Sequence, residues 1–222
     1  MEMPRTVGDM DPSTILVAGV GGIGCAWAHR AHQKCQGSAH LVLIDADDSS
    51  FKTGEDVHVL RLGHALDSVG CAALPPLAEQ RMRGLNTLTN RLLDTTELVI
   101  LLTGLGGGVG TGAAHEFARQ ARQSGAVVLA VAALPFEQQT TRMDIALEGL
   151  NRLESTAHVT VRLSLDRLAR QAREKGQLWQ MGAEWIEDLV DGLVRTLMRM
   201  GLINLDLMDL RATVSYTHLR AH

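Results

Sequence analysis

Ten of the chain's 22 glycines stand in two short clusters, four in GVGGIG at 19–24 and six in GLGGGVGTG at 104–112. Glycine packed that densely costs backbone entropy and lets main-chain amides come close to a ligand, so it marks a required backbone shape. Each cluster follows a short apolar run, at 14–20 and at 98–102. In an open parallel sheet, ligands bind beyond the carboxyl ends of strands, beside helix N-termini whose amides carry partial positive charge and hold phosphate. A single GxGxxG cluster is often only a tight strand-to-helix turn. Two clusters, each at the end of a strand, predict a phosphate chain cradled from two sides. Neither contains the lysine of GxxxxGK[ST]. Neutralisation then falls to amides, helix dipoles and a divalent cation such as Mg²⁺, brought by the nucleotide and not held by side chains.

The rest of the pattern supplies a sheet for these loops. Apolar runs at 14–20, 41–44, 98–102, 126–131 and 159–163 predict strands, and the second closes on Asp45, Asp47 and Asp48. Helical composition at 25–35 and at 113–124, the latter stopped by Gly125, predicts helices between them. Pro75 and Pro76 open another helix, with leucines at 77, 85, 88 and 92 in helical spacing. The stretch 51–70 reads as polar and irregular. Apolar strands alternating with helices predict an α/β fold, a Rossmann-like mostly parallel sheet with helices on both faces. From 181 to 200, Ile186, Leu189, Val190, Leu193, Val194 and Leu197 form one stripe, which predicts a long core helix leaving the sheet. The expected organisation is a flexible N-terminus (1–13), a nucleotide-binding domain (14–178), a core helix with the loop after it (179–213), and a tail. The tail, VSYTHLRAH at 214–222, reads as translated adaptor and not as native protein.

Composition narrows the function. A net charge of −4 leaves no basic footprint for nucleic acid. No run of 18 apolar residues predicts insertion into a membrane. Glu2, Asp9 and Asp11, with no apolar run among them, do not make a signal peptide. Cys25, Cys35 and Cys71 form no CxxC pair, which suits a reducing cytoplasm and no zinc site. His29 and His32 read as a solvated pair, since no third ligand accompanies them.

GLGGGVGTGAA at 104–114 resembles the signature of the FtsZ/tubulin GTPases, and GVGGIG at 19–24 resembles their first phosphate loop. Pro135-Phe136, Arg142-Met143, Asp166-Arg167-Leu168 and Met181-Gly182-Ala183 follow in the family's order. GLINLDLMDL at 201–210 looks like the family's synergy loop, NxDxxD, straight after the core helix. The resemblance covers about 14–213 and would leave the family's second domain absent.

The resemblance implies a GTP-binding protein, with GTP/GDP and Mg²⁺ as cofactors, that hydrolyses GTP between subunits of a head-to-tail filament of itself. Asn204, Asp206 and Asp209 would act in trans, orienting the attacking water in the next subunit's site. Phosphoryl transfer needs such a water and a neutralised γ-phosphate more than it needs covalent catalysis. The nucleotide contacts implied are Gly21, Gly22, Ile23, Gly24, Cys25, Asp47, Ala72, Gly106, Gly107, Gly108, Val109, Gly110, Thr111, Gly112, Glu137, Arg142 and Trp185. Any membrane tether would sit in the missing C-terminal part. At the purine end the match thins. The family's asparagine after the first loop falls near Ala26, its Asn-Asp pair at Trp185 and Ile186, and its stacking aromatic at Met181. Trp185 fits stacking on the base and core packing equally. GTP and ATP both stay open.

ILVAGVGGIG followed by HLVLIDADD also resembles the adenylating domain of ThiF/E1-like enzymes, with Asp45 or Asp47 on ribose or Mg²⁺. A plain NAD-binding Rossmann domain uses an acid there too. The adenylating family places Asp-Asn at the end of its third strand, where this chain has Thr103-Gly104-Leu105. A non-hydrolysing assembly protein that keeps nucleotide as a structural element is the remaining reading.

Overall fold

A computed structural model describes residues 14–35, 38–51, 57–63, 71, 74–174, 176 and 184–199. Six strands, β1 (Ile15–Val20), β2 (His40–Asp45), β3 (Val57–Arg61), β4 (Leu98–Gly104), β5 (Val127–Leu134) and β6 (Val159–Ser164), form one sheet in the order β3-β2-β1-β4-β5-β6. Every pairing is parallel. The helices are α1 (Gly21–Cys35), α2 (Pro75–Gly84), α3 (Asn86–Leu93), α4 (Gly108–Gln123), α5 (Thr140–Thr156), α6 (Leu165–Glu174) and α7 (Glu184–Arg199). β1 is buried at every residue and β4 at all but its last. A parallel strand covered on both faces has no solvent side, which is why these runs are aliphatic throughout.

Alternate residues of the strands feed two cores. Leu16, Val42, Ile44, Val99 and Leu101 pack under α2, α4 and α5 with Met82, Phe117, Leu150 and Leu153. Val17, Leu41, Leu43, Ile100 and Leu102 pack under α1, α6 and α7 with Trp27, Leu168, Ile186, Val190 and Val194. The apolar stripe expected on the core helix is therefore real where it is described: Ile186, Val190 and Val194 are buried. Salt bridges from Arg30 to Glu187 (2.6 Å) and from Lys34 to Asp188 tie α7 to α1.

Four local expectations need correction. The polar stretch 51–70 contains a strand, β3, whose His58 and Val59 are exposed because it lies at the sheet's edge. The helix opened by Pro75 breaks at Leu85 into α2 and α3. Its buried face carries Ala78, Met82, Thr89 and Leu93, with Leu85 and Leu92 half-buried against the same core, whereas Leu88 stands 52% exposed. α1 and α4 also begin inside the glycine clusters, at Gly21 and Gly108, because helix geometry starts where the amides are displayed. His32 is not a solvated residue either: its Nε2 lies 2.9 Å from the Ala39 carbonyl oxygen.

Between α2, α3, α4 and α5 runs a buried polar layer. Glu116, fully buried, accepts from Arg119 Nε (2.9 Å), from Gln120 Nε2 (2.9 Å) and from Arg83 Nε (3.4 Å). Glu79 accepts from Arg83 and from Arg152 Nη2 (2.6 Å), joining α2 to α5. Thr89 donates to Gln120 Oε1 (2.5 Å), and Gln120 donates to the Met82 carbonyl (3.3 Å). Burial pushes both carboxyls up, but the arginine bonds outweigh it and hold Glu116 and Glu79 below the usual carboxylate range. A depressed carboxylate stabilises the fold above its unfolded pKa of about 4.3 and loses that contribution as pH falls through the lower folded value.

Urea unfolding of three variants checks this fold. Urea midpoints of the wild type fall as the pH drops below about 4.3, whereas Glu116→Gln is less stable at pH 7 and its deficit shrinks as the pH falls. A Cβ on Gly112 would stand 1.9 Å from the Pro75 carbonyl oxygen, so Gly112→Ala costs about 1–3 kcal/mol. Gly84, where a Cβ meets nothing within 4 Å, gains up to about 1 kcal/mol as alanine.

Candidate functional site: two glycine loops at the sheet's switch point

β1 and β4 are neighbours in the sheet, yet the helices that follow them, α1 and α4, cover opposite faces. That divergence opens a crevice beyond the carboxyl ends of the two strands, the place where open α/β sheets bind ligands. Both glycine clusters lie in it. Neither α1 nor α4 has an acidic residue in its first turn, and the N-cap of α4, Gly107, makes no side-chain cap. The first amides of each helix are thus without an internal partner and meet no carboxylate within their own first turn, an electrostatic condition that suits an anion.

The glycines divide by what surrounds them. A Cβ on Gly24 would lie 2.3 Å from the Leu102 carbonyl oxygen, and one on Gly110 would lie 2.0 Å from that of Gly104. These residues let backbone pack on backbone. Around Gly107 a Cβ would meet nothing within 4 Å, and at Gly22 only Ser50 Oγ at 3.8 Å. There the main chain faces open space, and the residues fit a phosphate group. Gly106 takes φ +90°, with its amide donating to Thr111 Oγ1 (2.9 Å) and its carbonyl accepting from Arg142 Nε (3.2 Å). Thr111 and Arg142, both expected at the nucleotide, brace the second loop in this way.

Asp47 is exposed beside the first loop, and its Oδ1 accepts from the Ser49 amide (2.9 Å), a bond that holds its carboxyl below the usual range. Asp45 is 6% exposed and accepts from the Ala46 amide (2.7 Å). The Cys25 thiol is buried 3.4 Å from the Gly19 carbonyl oxygen, and burial pushes it up to about 12, so it is an inert packing group. Glu137 lines a cleft of about 710 Å³ with Phe136, Gln138, Asp166, Arg167 and Arg170; Arg142 is not part of its lining. Trp185 is half-buried against the α1–α7 core and lines a second cleft of about 590 Å³ with Leu134 and Leu163. Ile186 is wholly buried.

Ala72, Asn204, Asp206 and Asp209 lie outside the described residues. Among the described residues no three His, Cys, Asp or Glu side chains gather to hold a metal. Sequence reasoning passed over Thr103, a buried hydroxyl between the two loops, and Ser50 beside Gly22. The signal for Thr103 was present: a polar residue ending an otherwise aliphatic strand.

A family model described as the tubulin/FtsZ family, GTPase domain, matches residues 14–173. Cell division protein FtsZ 1 of Archaeoglobus fulgidus is 29% identical over 206 residues, covering 91% of this chain and 56% of that protein. Cell division protein FtsZ of Aquifex aeolicus is 27% identical over 210 residues, covering 92% and 57% respectively. The chain spans about half the length of the curated relatives it matches. Among solved structures, the empty FtsZ dimer of M. jannaschii superposes with a TM-score of 0.74 at 27% identity, covering 90% of this chain and 60% of that one. CetZ2 from Haloferax volcanii, in a GTPγS-bound protofilament, shares the fold at a TM-score of 0.71 and 20% identity, covering 89% of this chain and 61% of that one. The adenylating and NAD-binding readings give way to the match over 14–173: the chain belongs to the tubulin/FtsZ family, through its GTPase domain.

Proposed function

We propose that the chain binds GTP and GDP with Mg²⁺ and hydrolyses GTP at the contact between successive copies of itself in a filament. The observation that carries this reading is the pair of acid-free helix N-termini meeting at the β1–β4 switch point, in a chain of this family. Open main chain at Gly22 and Gly107 receives the phosphate oxygens, and Arg142 and Thr111 hold the second loop in shape. Mg²⁺, when bound with the nucleotide, supplies the positive charge that the loops lack in lysine. Asp47 is an exposed carboxylate just past the end of β2, two residues before Ser49, whose amide it accepts from.

The catalytic acids belong to the next copy. Asn204, Asp206 and Asp209 follow the core helix in sequence and orient a water in line with the γ-phosphorus of the neighbouring site. Attack forms the new P–O bond while the bond to the β-phosphate oxygen breaks, and GDP leaves with that electron pair. A site divided this way is empty of activity until two copies meet. No described helix is long and apolar enough to cross a membrane.

Hydrolysis per molecule, followed by phosphate release across protein concentration, therefore climbs with concentration for GTP. Asp209→Ala lowers the plateau by about 100-fold or more while leaving nucleotide binding intact. Turnover that is flat with concentration overturns the shared site, and a chain that holds no nucleotide overturns the reading altogether.

A further inference from the structure

Thr103 is fully buried near the end of β4, between Leu102 and Gly104 in sequence. Its hydroxyl lies 3.1 Å from the carbonyl oxygen of Val20, the last residue of β1 and part of the first glycine loop. It also lies 3.1 Å from the carbonyl oxygen of Gly110, in the first turn of the helix that carries the second. Val20 and Thr103 stand opposite one another in the β1–β4 ladder. One side chain therefore touches the launch point of one phosphate loop and the body of the other.

The space around it is already closed. A Cβ on Gly21 would come within 3.1 Å of the Gly110 amide nitrogen, and one on Gly110 within 3.0 Å of Thr103 Oγ1. The two loops meet backbone to backbone, with the Thr103 hydroxyl as the side-chain donor spanning the seam. A hydroxyl carries one proton, so it shares that proton between the two carbonyls or alternates between them. Gly110 lies in an α-helix, whose carbonyls accept from the amide four residues on, so its oxygen does not depend on Thr103 to be satisfied. The bond is surplus to the helix, and its consequence is the distance between the loops.

We propose that Thr103 is a positioning residue for the phosphate chain: its hydroxyl sets the separation of the two amide cradles and so the affinity of the site for a nucleotide's phosphates. This inference rests on the nucleotide-binding function proposed above. A phosphate gripped from two sides feels any change in that separation through every amide it contacts, because hydrogen bonds weaken steeply away from their optimum. A ligand without phosphates does not feel it.

The test uses two variants of the whole chain. Thr103→Val keeps the shape and removes the hydroxyl; Thr103→Ser keeps the hydroxyl and removes the methyl. Calorimetric titration with GTP, GDP, guanosine and inorganic triphosphate reads the effect, with thermal midpoints recorded beside it. Thr103→Val weakens GTP and inorganic triphosphate by about threefold to tenfold, GDP by less, and any binding of guanosine not at all. Thr103→Ser stays within about twofold of the wild type. In hydrolysis, Thr103→Val raises KM and leaves kcat near its wild-type value, the mark of lost uniform binding. Equal phosphate affinity in wild type and Thr103→Val overturns the inference while the nucleotide site stands. Equal loss in the Ser and Val variants overturns it as well, since the methyl and not the hydroxyl would then matter. A wild-type chain that holds neither nucleotide nor triphosphate overturns the functional reading and this inference together.

Discussion

The two glycine loops touch through their main chains, and the rest of the domain is arranged to keep them there. The contact exists because Gly21 and Gly104 have no Cβ: one on Gly21 would stand 3.1 Å from the Gly110 amide nitrogen, and one on Gly104 would stand 3.2 Å from the Ile23 Cβ. Such proximity needs β1 and β4 to be adjacent and in register, with Val20 opposite Thr103. It also needs α1 and α4 to leave on opposite faces so that their N-termini converge while their bodies diverge. The aliphatic burial of β1 and β4 is what makes that arrangement rigid, since close-packed interiors transmit displacement and do not absorb it.

The two faces hold their helices by different means. On the α1 side, α7 lies against the sheet through Ile186, Val190 and Val194, with ion pairs at the rim joining it to α1. On the α4 side, a layer of buried charge does part of that work. Glu116 and Glu79 gather Arg83, Arg119 and Arg152 from three helices, and Gln120 carries the network to Thr89. Removing one partner from such a layer strands another, so its value lies in fixing where α2 and α5 sit on α4 more than in net stability. α4 is the helix whose first turn displays the second loop. Its position is therefore specified by directional bonds and not by apolar contact alone.

Much of this was legible in the sequence. The aliphatic runs located β1, β2, β4 and β5, because a strand buried on both faces has few polar residues to obscure it, whereas β6, at the sheet's edge, was located by its β-branched Val159, Thr160 and Val161 despite the exposed Arg162. The glycine clusters marked the crevice for the same reason: their density has no cheaper explanation than close backbone approach. The edge strand β3 was missed, as its exposed His58 and Val59 mimic a loop. The break between α2 and α3 was missed because four leucines in helical spacing outweighed Gly84, a residue that ends the first helix with no contact to betray it. Thr111 and Arg142 were legible as site residues, but their work as braces of Gly106 was not, since a hydrogen bond from side chain to loop leaves no periodic trace.

On the proposed reading, the charge balance of the crevice explains why such a site is split between copies. Its two glycine clusters supply amide dipoles and no lysine, a field that suits phosphate oxygens but leaves a triphosphate's charge to be neutralised by the cation. A carboxylate placed permanently within that half would compete with the phosphates for the same amides, and the first turns of α1 and α4 contain none. Acids that must orient water therefore belong on a separate surface, brought up after the nucleotide and its cation are in place. Asp206 and Asp209, beyond the far end of α7 in sequence, are acids of that kind: they follow a helix clamped to α1, the same helix whose N-terminus forms the first loop. A shift at the phosphates and a shift at the acids would then pass through one packed pair of helices.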